Sequence, residues 1–252
     1  MAFDLEWVRS GLPDRRIDWH QTIDSTMREA SRLGRAGCPS GTIVGAEEQT
    51  AGQGRHGRAW HSERGSGLYV SIVLRYQFAP AHLPLVTLAL GLATSEAILN
   101  VTNLACDLRW PNDVLIHSRK CAGILTELEG SAIIAGIGIN VNYSAFPPEL
   151  RDLATSLRIV SGRVHSRERL LVELVQSVHN FCALLEKEGR EPILAMFAHA
   201  SSFVQGRRVS VDQGDSMLRG TTAGLNESGF LILRGDDGNE NLIIAGGVRP
   251  CS

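Results

Sequence analysis

The segment from residue 106 to residue 141 limits the possible folds more than any other part of the chain. It contains four short stretches with the apolar, β-branched character of strands, at 106–110, 114–117, 122–128 and 132–141. Only a few residues separate each stretch from the next, and they include the turn formers Pro, Asn, Ser and Gly. The crossover helix of a βαβ unit does not fit into such short connections. The sequence therefore predicts an antiparallel or mixed sheet.

Helices and two further strands surround this segment, which predicts an α+β protein with a mixed, largely antiparallel sheet. The two strands are expected at 41–48 and 67–74. Apolar periodicity with capping residues predicts helices at 27–33, 83–99, 170–185 and 192–200. The helix at 83–99 is too short and too interrupted for a membrane span, so we expect it in the core.

The sequence pattern changes after about residue 202. Short strands are predicted at 207–211, 218–222, 229–233 and 242–244, with a turn at Gln213-Gly214 among the connections. Short strands at even spacing are typical of a small β-barrel. We therefore expect a large domain at 1–202 followed by a small β domain at 203–252.

Composition excludes several classes of function. The 252 residues carry a formal net charge of −2, so no general field for nucleic acid or membranes is expected. The five cysteines are scattered without C-x-x-C spacing, which favours free thiols in a reducing compartment. With no signal peptide pattern, the cytoplasm is the expected location.

A glycine-rich loop between the strands at 41–48 and 67–74 is a candidate anion-binding site. Its three glycines and two arginines are Gly52, Gly54, Gly57, Arg55 and Arg58. Glycines allow a close backbone approach to a ligand, and guanidinium groups suit phosphate or carboxylate oxygens. The glycines also match the dinucleotide fingerprint G-x-G-x-x-G by spacing. We reject that interpretation because a strand follows the loop where the fingerprint requires a helix.

Three further polar segments lie at strand ends and leave two interpretations open. The segments 108–113, 119–120 and 137–142 fit an ordinary turn, an exposed hairpin tip and a strand running into a turn. They also fit nucleotide chemistry, with Asp113 as a Mg²⁺ carboxylate and Lys120 as a compact positive charge. Asn112 and Asn140 would then offer amide edges to a base or sugar. Lysine is scarce in this chain, which contains only Lys120 and Lys187, and this favours a special role for Lys120.

Four of these segments, in order and spacing, resemble the biotin protein ligases. They are Gln49-Thr-Ala-Gly-Gln-Gly-Arg-His-Gly-Arg-Ala-Trp60, Arg109-Trp-Pro-Asn-Asp113, Arg119-Lys-Cys-Ala-Gly-Ile-Leu-Thr-Glu127 and Gly136-Ile-Gly-Ile-Asn-Val-Asn142. The resemblance runs from about residue 17 to the C-terminus. It implies a class II synthetase-like catalytic domain followed by an SH3-like barrel.

The resemblance also implies a two-step reaction. Biotin and ATP, with Mg²⁺, would give biotinyl-5′-AMP and pyrophosphate, and a lysine of a biotin carboxyl carrier protein would then take the biotinyl group. The carrier would be a subunit of acetyl-CoA carboxylase or of another biotin-dependent carboxylase. The glycine loop would fold over the reactive anhydride and exclude water.

Roles carried over by the resemblance fall into four groups. The expected catalytic residues are Lys120, Arg55 and Asp113. The expected biotin contacts are Ser25, Thr26, Met27, Gln49, Gln53, Gly54, Arg55 and Lys120. The expected ATP or adenylate contacts are Arg55, Arg58, Asn112 and Asn140, and the expected Mg²⁺ ligand is Asp113.

Some positions depart from the pattern of this family. Met27 stands where a polar residue is common, and Gln53 and His56 stand where arginines are common. Only about 16 residues precede the matching region, so we expect no winged-helix domain and no DNA binding. A monomer and a homodimer are both compatible with the sequence. Two alternatives remain open, a lipoate or octanoate ligase or transferase and a non-catalytic sensor of biotin or nucleotide.

Overall fold

A seven-stranded mixed sheet forms the centre of the large domain. A computed structural model describes residues 3–76, 82–212 and 217–251. The strand order is β1-β2-β3-β7-β6-β5-β4, where β1 and β2 are parallel and every other pair is antiparallel. The strand bounds are β1 Ile17–His20, β2 Thr42–Ala46, β3 Gly67–Leu74, β4 Asp107–Arg109, β5 Asp113–Ile116, β6 Arg119–Glu129 and β7 Ala132–Asn140. The predicted α+β class with a largely antiparallel sheet is confirmed.

Both faces of this sheet are covered. Every residue of β3 is buried, and its apolar side chains lie on both faces of the sheet. Val73 packs with Met27 and Leu33 of helix α2, while Ile72 and Leu74 join the main core on the opposite face. A strand buried on both faces is rich in apolar residues throughout, and β3 has that composition.

Helix α3 is the core helix of the large domain. Its 20 residues are apolar enough to cross a membrane, but 72% of its most apolar window is buried inside the protein. It packs against α5 and α6, so the predicted core role is confirmed. The helix bounds are α1 Leu5–Gly11, α2 Thr26–Arg35, α3 Leu83–Thr102, α4 Leu157–Ser161, α5 Arg167–Glu188 and α6 Arg190–His199. Helices α1 and α4 and strand β1 were not predicted.

A second, five-stranded antiparallel sheet occupies the C-terminal part of the chain, with strand order β11-β10-β9-β8-β12. Its bounds are β8 Gln205–Asp212, β9 Met217–Leu225, β10 Leu231–Arg234, β11 Glu240–Ile243 and β12 Gly247–Pro250. The sheet agrees with the predicted small barrel and lies within the range expected for it, although β12 was not predicted. The predicted turn at Gln213-Gly214 lies outside the described residues. Trp110 joins the two parts of the chain, because its buried indole Nε1 donates to Gly229 O at 2.9 Å.

Candidate functional site

The large sheet carries a patch without side chains. Gly123 of β6 and Gly138 of β7 are direct partners in the sheet, and Gly136 lies two residues from Gly138. A Cβ atom on Gly138 would lie 2.5 Å from the indole Nε1 of Trp60, and one on Gly136 would lie 2.5 Å from Sδ of Met27. Glycine inside a strand marks a place where another group approaches the backbone closely. These three glycines, named here the glycine floor, form the base of a cavity.

The cavity above the glycine floor brings many of the predicted residues together. Its lining comprises Thr26, Met27, Gln49, Gln53, Gly54, Arg55, Trp60, Tyr69, Val70, Asn112, Lys120, Gly123, Ile124, Leu125, Gly136, Ile137 and Gly138. Four predicted residues, Ser25, Arg58, Asp113 and Asn140, are absent from this lining. The cavity has an apolar base and several polar groups at its wall, which is the usual character of a small-molecule site.

A polar network at the start of α2 forms one wall. The backbone N and Oγ1 of Thr26 both donate to Oε1 of Gln49, at 2.9 and 3.0 Å. Ser25 is the N-cap residue, but its hydroxyl donates to Oε1 of Gln53 at 2.9 Å instead of capping the helix. The predicted biotin contacts in this wall therefore bond to one another. Ser25 belongs to the network but lies just behind the cavity surface.

The glycine loop crosses the mouth of the cavity as a tight hairpin. Gly54 N donates to Arg58 O at 2.7 Å, and Trp60 N donates to Gly52 O at 2.9 Å. Gly57 has a φ of +70°, in the left-handed region that glycine adopts at no steric cost. The loop leads into β3 and not into a helix of the dinucleotide-binding type. The rejection of the dinucleotide fingerprint is therefore confirmed.

Two tyrosines anchor the chain that follows this loop. The hydroxyls of Tyr69 and Tyr143 lie 2.6 Å apart in the core. Glu63 N donates to the Tyr143 hydroxyl at 3.0 Å, and the Tyr69 hydroxyl donates to Glu63 O at 2.9 Å. Burial is the main cause that raises the pKa of Tyr69 above its usual value, so the phenol stays protonated and keeps donating.

Arg55 is the loop arginine that reaches the cavity. Its Nη1 donates to Oδ1 of Asn112 at 3.2 Å. The amide of Asn112 in turn donates to Ile124 O at 2.8 Å, which fixes the orientation of the Asn112 side chain. Burial lowers the pKa of Arg55, while the Asp113 carboxylate opposes that shift. A guanidinium keeps its charge in proteins, so Arg55 is a half-buried cation at the wall of the cavity.

Lys120 belongs to a cluster of two cations and one carboxylate. Its Nζ pairs with Oδ1 of Asp113, and Arg109 donates to Oδ2 of Asp113 from Nη2 at 2.6 Å and from Nε at 3.2 Å. Burial works against ionisation of Asp113, but the two cations outweigh it, and the pKa of Asp113 is lowered. Nζ of Lys120 also lies 5.2 Å from the ring centroid of Trp60, within the range of a cation–π contact.

This cluster does not fit a resident magnesium site. Both oxygens of Asp113 already accept from cations. Among the described residues there is no group of three or more His, Cys, Asp or Glu side chains able to hold a metal ion. The predicted metal role of Asp113 finds no support in this geometry, where the carboxylate is paired with Lys120 and Arg109.

Asn140 and Arg58 do not line the cavity. Asn140 is buried, and its Nδ2 donates to Thr155 O at 3.1 Å and to Lys120 O at 3.4 Å. These bonds hold the backbone of Lys120, and contact of Asn140 with an adenylate stays a prediction. Arg58 has an exposed side chain, and its contribution to the loop is the backbone carbonyl that accepts from Gly54.

Several residues of the site were not assigned a role from the sequence. They are Arg109, Gly123, Gly136, Gly138, and Tyr69. The alternation of glycine on β7 opposite Gly123 of β6 was the available signal for the floor, because glycine is unfavourable inside strands. Trp60 packs over the glycine floor, and its buried Nε1 has no hydrogen-bond partner among the residues that the structure describes.

A second cavity adjoins the first where the two parts of the chain meet. Its lining comprises Arg55, Leu83, Pro84, Thr87, Trp110, Pro111, Ile124, Leu125, Thr126, Gly229, Phe230 and Ile244. Arg55 lines both cavities. The second cavity is largely apolar, and the buried Trp110 is part of its lining.

Known proteins resemble this chain in sequence. Residues 19–144 match the model of the biotin/lipoate A/B protein ligase family. The bifunctional ligase/repressor BirA of Bacillus subtilis is 31% identical over 94% of this chain and 75% of its own length. The biotin–[acetyl-CoA-carboxylase] ligase of Paracoccus denitrificans is 32% identical over 86% of this chain and 93% of its own length.

The fold is also shared with a protein of known structure. The biotin protein ligase from Aquifex aeolicus, in complex with biotin and ATP, superposes with a TM-score of 0.83 at 30% identity. The match covers 94% of this chain and 99% of that protein. The likeness therefore includes the second sheet as well as the large domain.

Proposed function

Because the chain belongs to the biotin/lipoate A/B protein ligase family, we propose that it is an ATP-dependent biotin ligase that acts on a biotin carboxyl carrier protein. The convergence of Arg55 and Lys120 on one cavity with a glycine floor is the observation that carries the proposal. Two cations beside an apolar surface suit a ligand with an uncharged ring at one end and a carboxylate at the other. Biotin has that composition.

The ring of biotin would lie on the glycine floor, next to the polar network. Gln49 and Gln53 accept hydrogen bonds from Thr26 and Ser25. The ureido group carries one carbonyl acceptor and two N–H donors, so it would exchange these internal bonds for bonds to the ligand. The cost of desolvating the ureido group is thereby offset, as a buried polar group requires. Met27 would supply only an apolar contact.

The carboxylate and the α-phosphate are both anions, and the site must bring them together. A biotin carboxylate oxygen attacks the α-phosphorus, the bond to the β-phosphate oxygen breaks, and pyrophosphate leaves with the bonding electrons. Arg55 and Lys120 would offset the repulsion and stabilise the charge that develops at the α-phosphate. Mg²⁺ would enter with ATP and neutralise the departing pyrophosphate, while Asp113 holds Lys120 in position.

ATP would occupy the second cavity, with its phosphates directed toward Arg55. That guanidinium lines both cavities, so it lies where the two substrates meet. Trp110 would stack against the base. The glycine loop, hinged at its glycines, would cover the mixed anhydride until the amine of a carrier lysine attacks the acyl carbon and AMP leaves.

Pyrophosphate release measured with ATP and one acid at a time tests the choice of substrate. We expect release with biotin and only background release with lipoate or octanoate. Release with lipoate or octanoate alone would replace biotin by that acid. Gln49→Leu serves as the internal check, because loss of its amide should raise the KM for biotin more than the KM for ATP.

A further inference from the structure

A chain of side-chain contacts connects Lys120 to the start of the second sheet. Lys120 pairs with Oδ1 of Asp113, and Arg109 donates to Oδ2 from both Nε and Nη2. The side chains of all three are mostly buried, with exposed fractions of 28% for Lys120, 16% for Asp113 and 21% for Arg109. Both Arg109 nitrogens donate to the same oxygen, Oδ2, so Arg109 holds that oxygen while Oδ1 faces Lys120.

Arg109 also lies within cation–π range of Phe203, which precedes β8. The Cζ atom of Arg109 lies 6.0 Å from the centroid of the Phe203 ring, and Cζ of Arg207 lies 4.4 Å from it. Phe203 is buried, and Ser201 beside it donates to Leu108 O at 2.5 Å. Strand β4, which carries Arg109, is thus fastened to the connection between the two sheets.

Arg109 lines neither cavity, so any effect it has on the reaction must pass through another residue. We propose that Arg109 is a positioning residue, which holds Asp113 in the orientation that presents Lys120 to the cavity, and that Phe203 sets the position of Arg109. The inference rests on the proposed function, because it assigns a purpose to the ion cluster in adenylation.

Loss of Arg109 leaves Asp113 with one cation instead of two. The carboxylate is then free to rotate, and the whole of its charge acts on Lys120. The lysine is held against Asp113 and less often reaches the reacting carboxylate and phosphate. Because Arg109 lines neither cavity, we expect kcat to fall and the KM values for biotin and ATP to change little.

Steady-state adenylation of five variants tests this chain of contacts from Phe203 through Arg109 and Asp113 to Lys120, named here the relay. We expect Arg109→Met to lower kcat by about tenfold or more with KM values for biotin and ATP within about twofold, the scale of a misplaced catalytic group. Arg109→Lys should recover part of the loss. Arg109→Met combined with Asp113→Asn should be no slower than Asp113→Asn alone, because both changes break one pathway. The matched control is Arg207→Met, which removes the other cation over Phe203 and should leave kcat within about twofold.

Additive losses in the double variant, a rise in KM in place of the fall in kcat, or an equal loss in Arg207→Met would each overturn the relay. If Arg109→Met does not fold, Phe203→Leu provides the same test with Arg109 present. We expect it to lower kcat by about threefold, in line with loss of one cation–π contact. No change in kcat in that variant would contradict the role of Phe203.

A measurement without turnover separates failure of the relay from failure of the proposed function. The chain contains only two lysines, so acetylation by acetic anhydride, followed by mass spectrometry, gives a ratio of Lys120 to Lys187 labelling. Removal of the positive charge of Arg109 leaves the Lys120 ammonium more tightly paired, and its labelling relative to Lys187 should fall about threefold or more. An unchanged ratio would overturn the relay even if biotin is adenylated. A fall in the ratio without pyrophosphate release by the wild type would leave the relay intact and refute the ligase.

Discussion

At the scale of single residues, Lys120 is fixed from three directions. Asp113 pairs with its ammonium, Trp60 lies beneath the charge, and Asn140 donates to its backbone carbonyl. A lysine so constrained has already lost much of its side-chain entropy before any substrate arrives. Such preorganisation is expected of a cation that stabilises charge in a transition state.

Replacement of Lys120 tests that role. Lys120→Ala should leave the fold intact and lower the rate of biotinyl-AMP formation by roughly 10² or more, the scale of losing an electrostatic stabiliser of a transition state. Lys187→Ala is the matched control, since Lys187 is the only other lysine and lies at the end of α5. A near-normal rate for Lys120→Ala, measured by single-turnover quench, would show that Lys120 has been misassigned.

The glycine floor can be tested with one methyl group. Gly138→Ala places a Cβ atom 2.5 Å from Trp60, so the indole must shift and the cavity must change shape. Biotin affinity measured by calorimetry should fall about tenfold or more, which corresponds to an overpacking cost of 1–3 kcal/mol. Gly247→Ala is the control, because a Cβ atom there meets no atom of the described residues within 4 Å. Unaltered affinity in Gly138→Ala would remove the glycine floor from the binding site.

At the scale of helices and strands, α5 is tied to the large sheet by a buried ion pair. Arg167 at its first turn bonds to Glu47 at 3.0 and 3.3 Å and to Gly67 O at 3.4 Å. The exposed fractions of the two charged side chains are only 5% and 9%. Removing one partner of such a pair leaves a buried charge without compensation.

Arg167→Met should therefore lower the free energy of unfolding by about 3–5 kcal/mol. The measurement is urea denaturation at constant pH, with Arg169→Met as the control because Arg169 is exposed on the same helix. A loss in Arg167→Met no greater than in the control would mean that this pair does not fasten α5. We expect Arg167→Met to have no direct effect on adenylation, since Arg167 lines neither cavity.

The sequence predicted the elements whose patterns are long or strongly apolar. Strand β3 was placed at its observed bounds, and α3 and α5 were placed within a few residues. Strand β12 was missed because Gly247–Pro250 has neither alternation nor β-branched enrichment beyond one valine. The hydrogen bonds of Asn140 could not be predicted, since a strand pattern does not show which buried carbonyls an amide will meet. The pairing of Gly123 with Gly138 depends on strand register, which sequence separation does not reveal.

At the scale of the whole molecule, the two parts of the chain meet beside the two cavities. The indole of Trp110 reaches Gly229, Phe203 reaches Arg109, and the second cavity takes its lining from both parts. The C-terminal part of the chain therefore supplies residues to the lining of the second cavity. A functional ligase is expected to need both parts together.

Transfer of biotin to a carrier protein is the decisive test of ligase activity. The full chain is incubated with ATP, Mg²⁺, biotin and a purified biotin carboxyl carrier domain, and the intact mass of the carrier is measured. We expect the mass of the carrier to increase by one biotinyl group on the acceptor lysine. A carrier whose acceptor lysine is replaced by arginine should show no increase. Tight binding of biotin without any mass gain would contradict the account and identify the protein as a sensor.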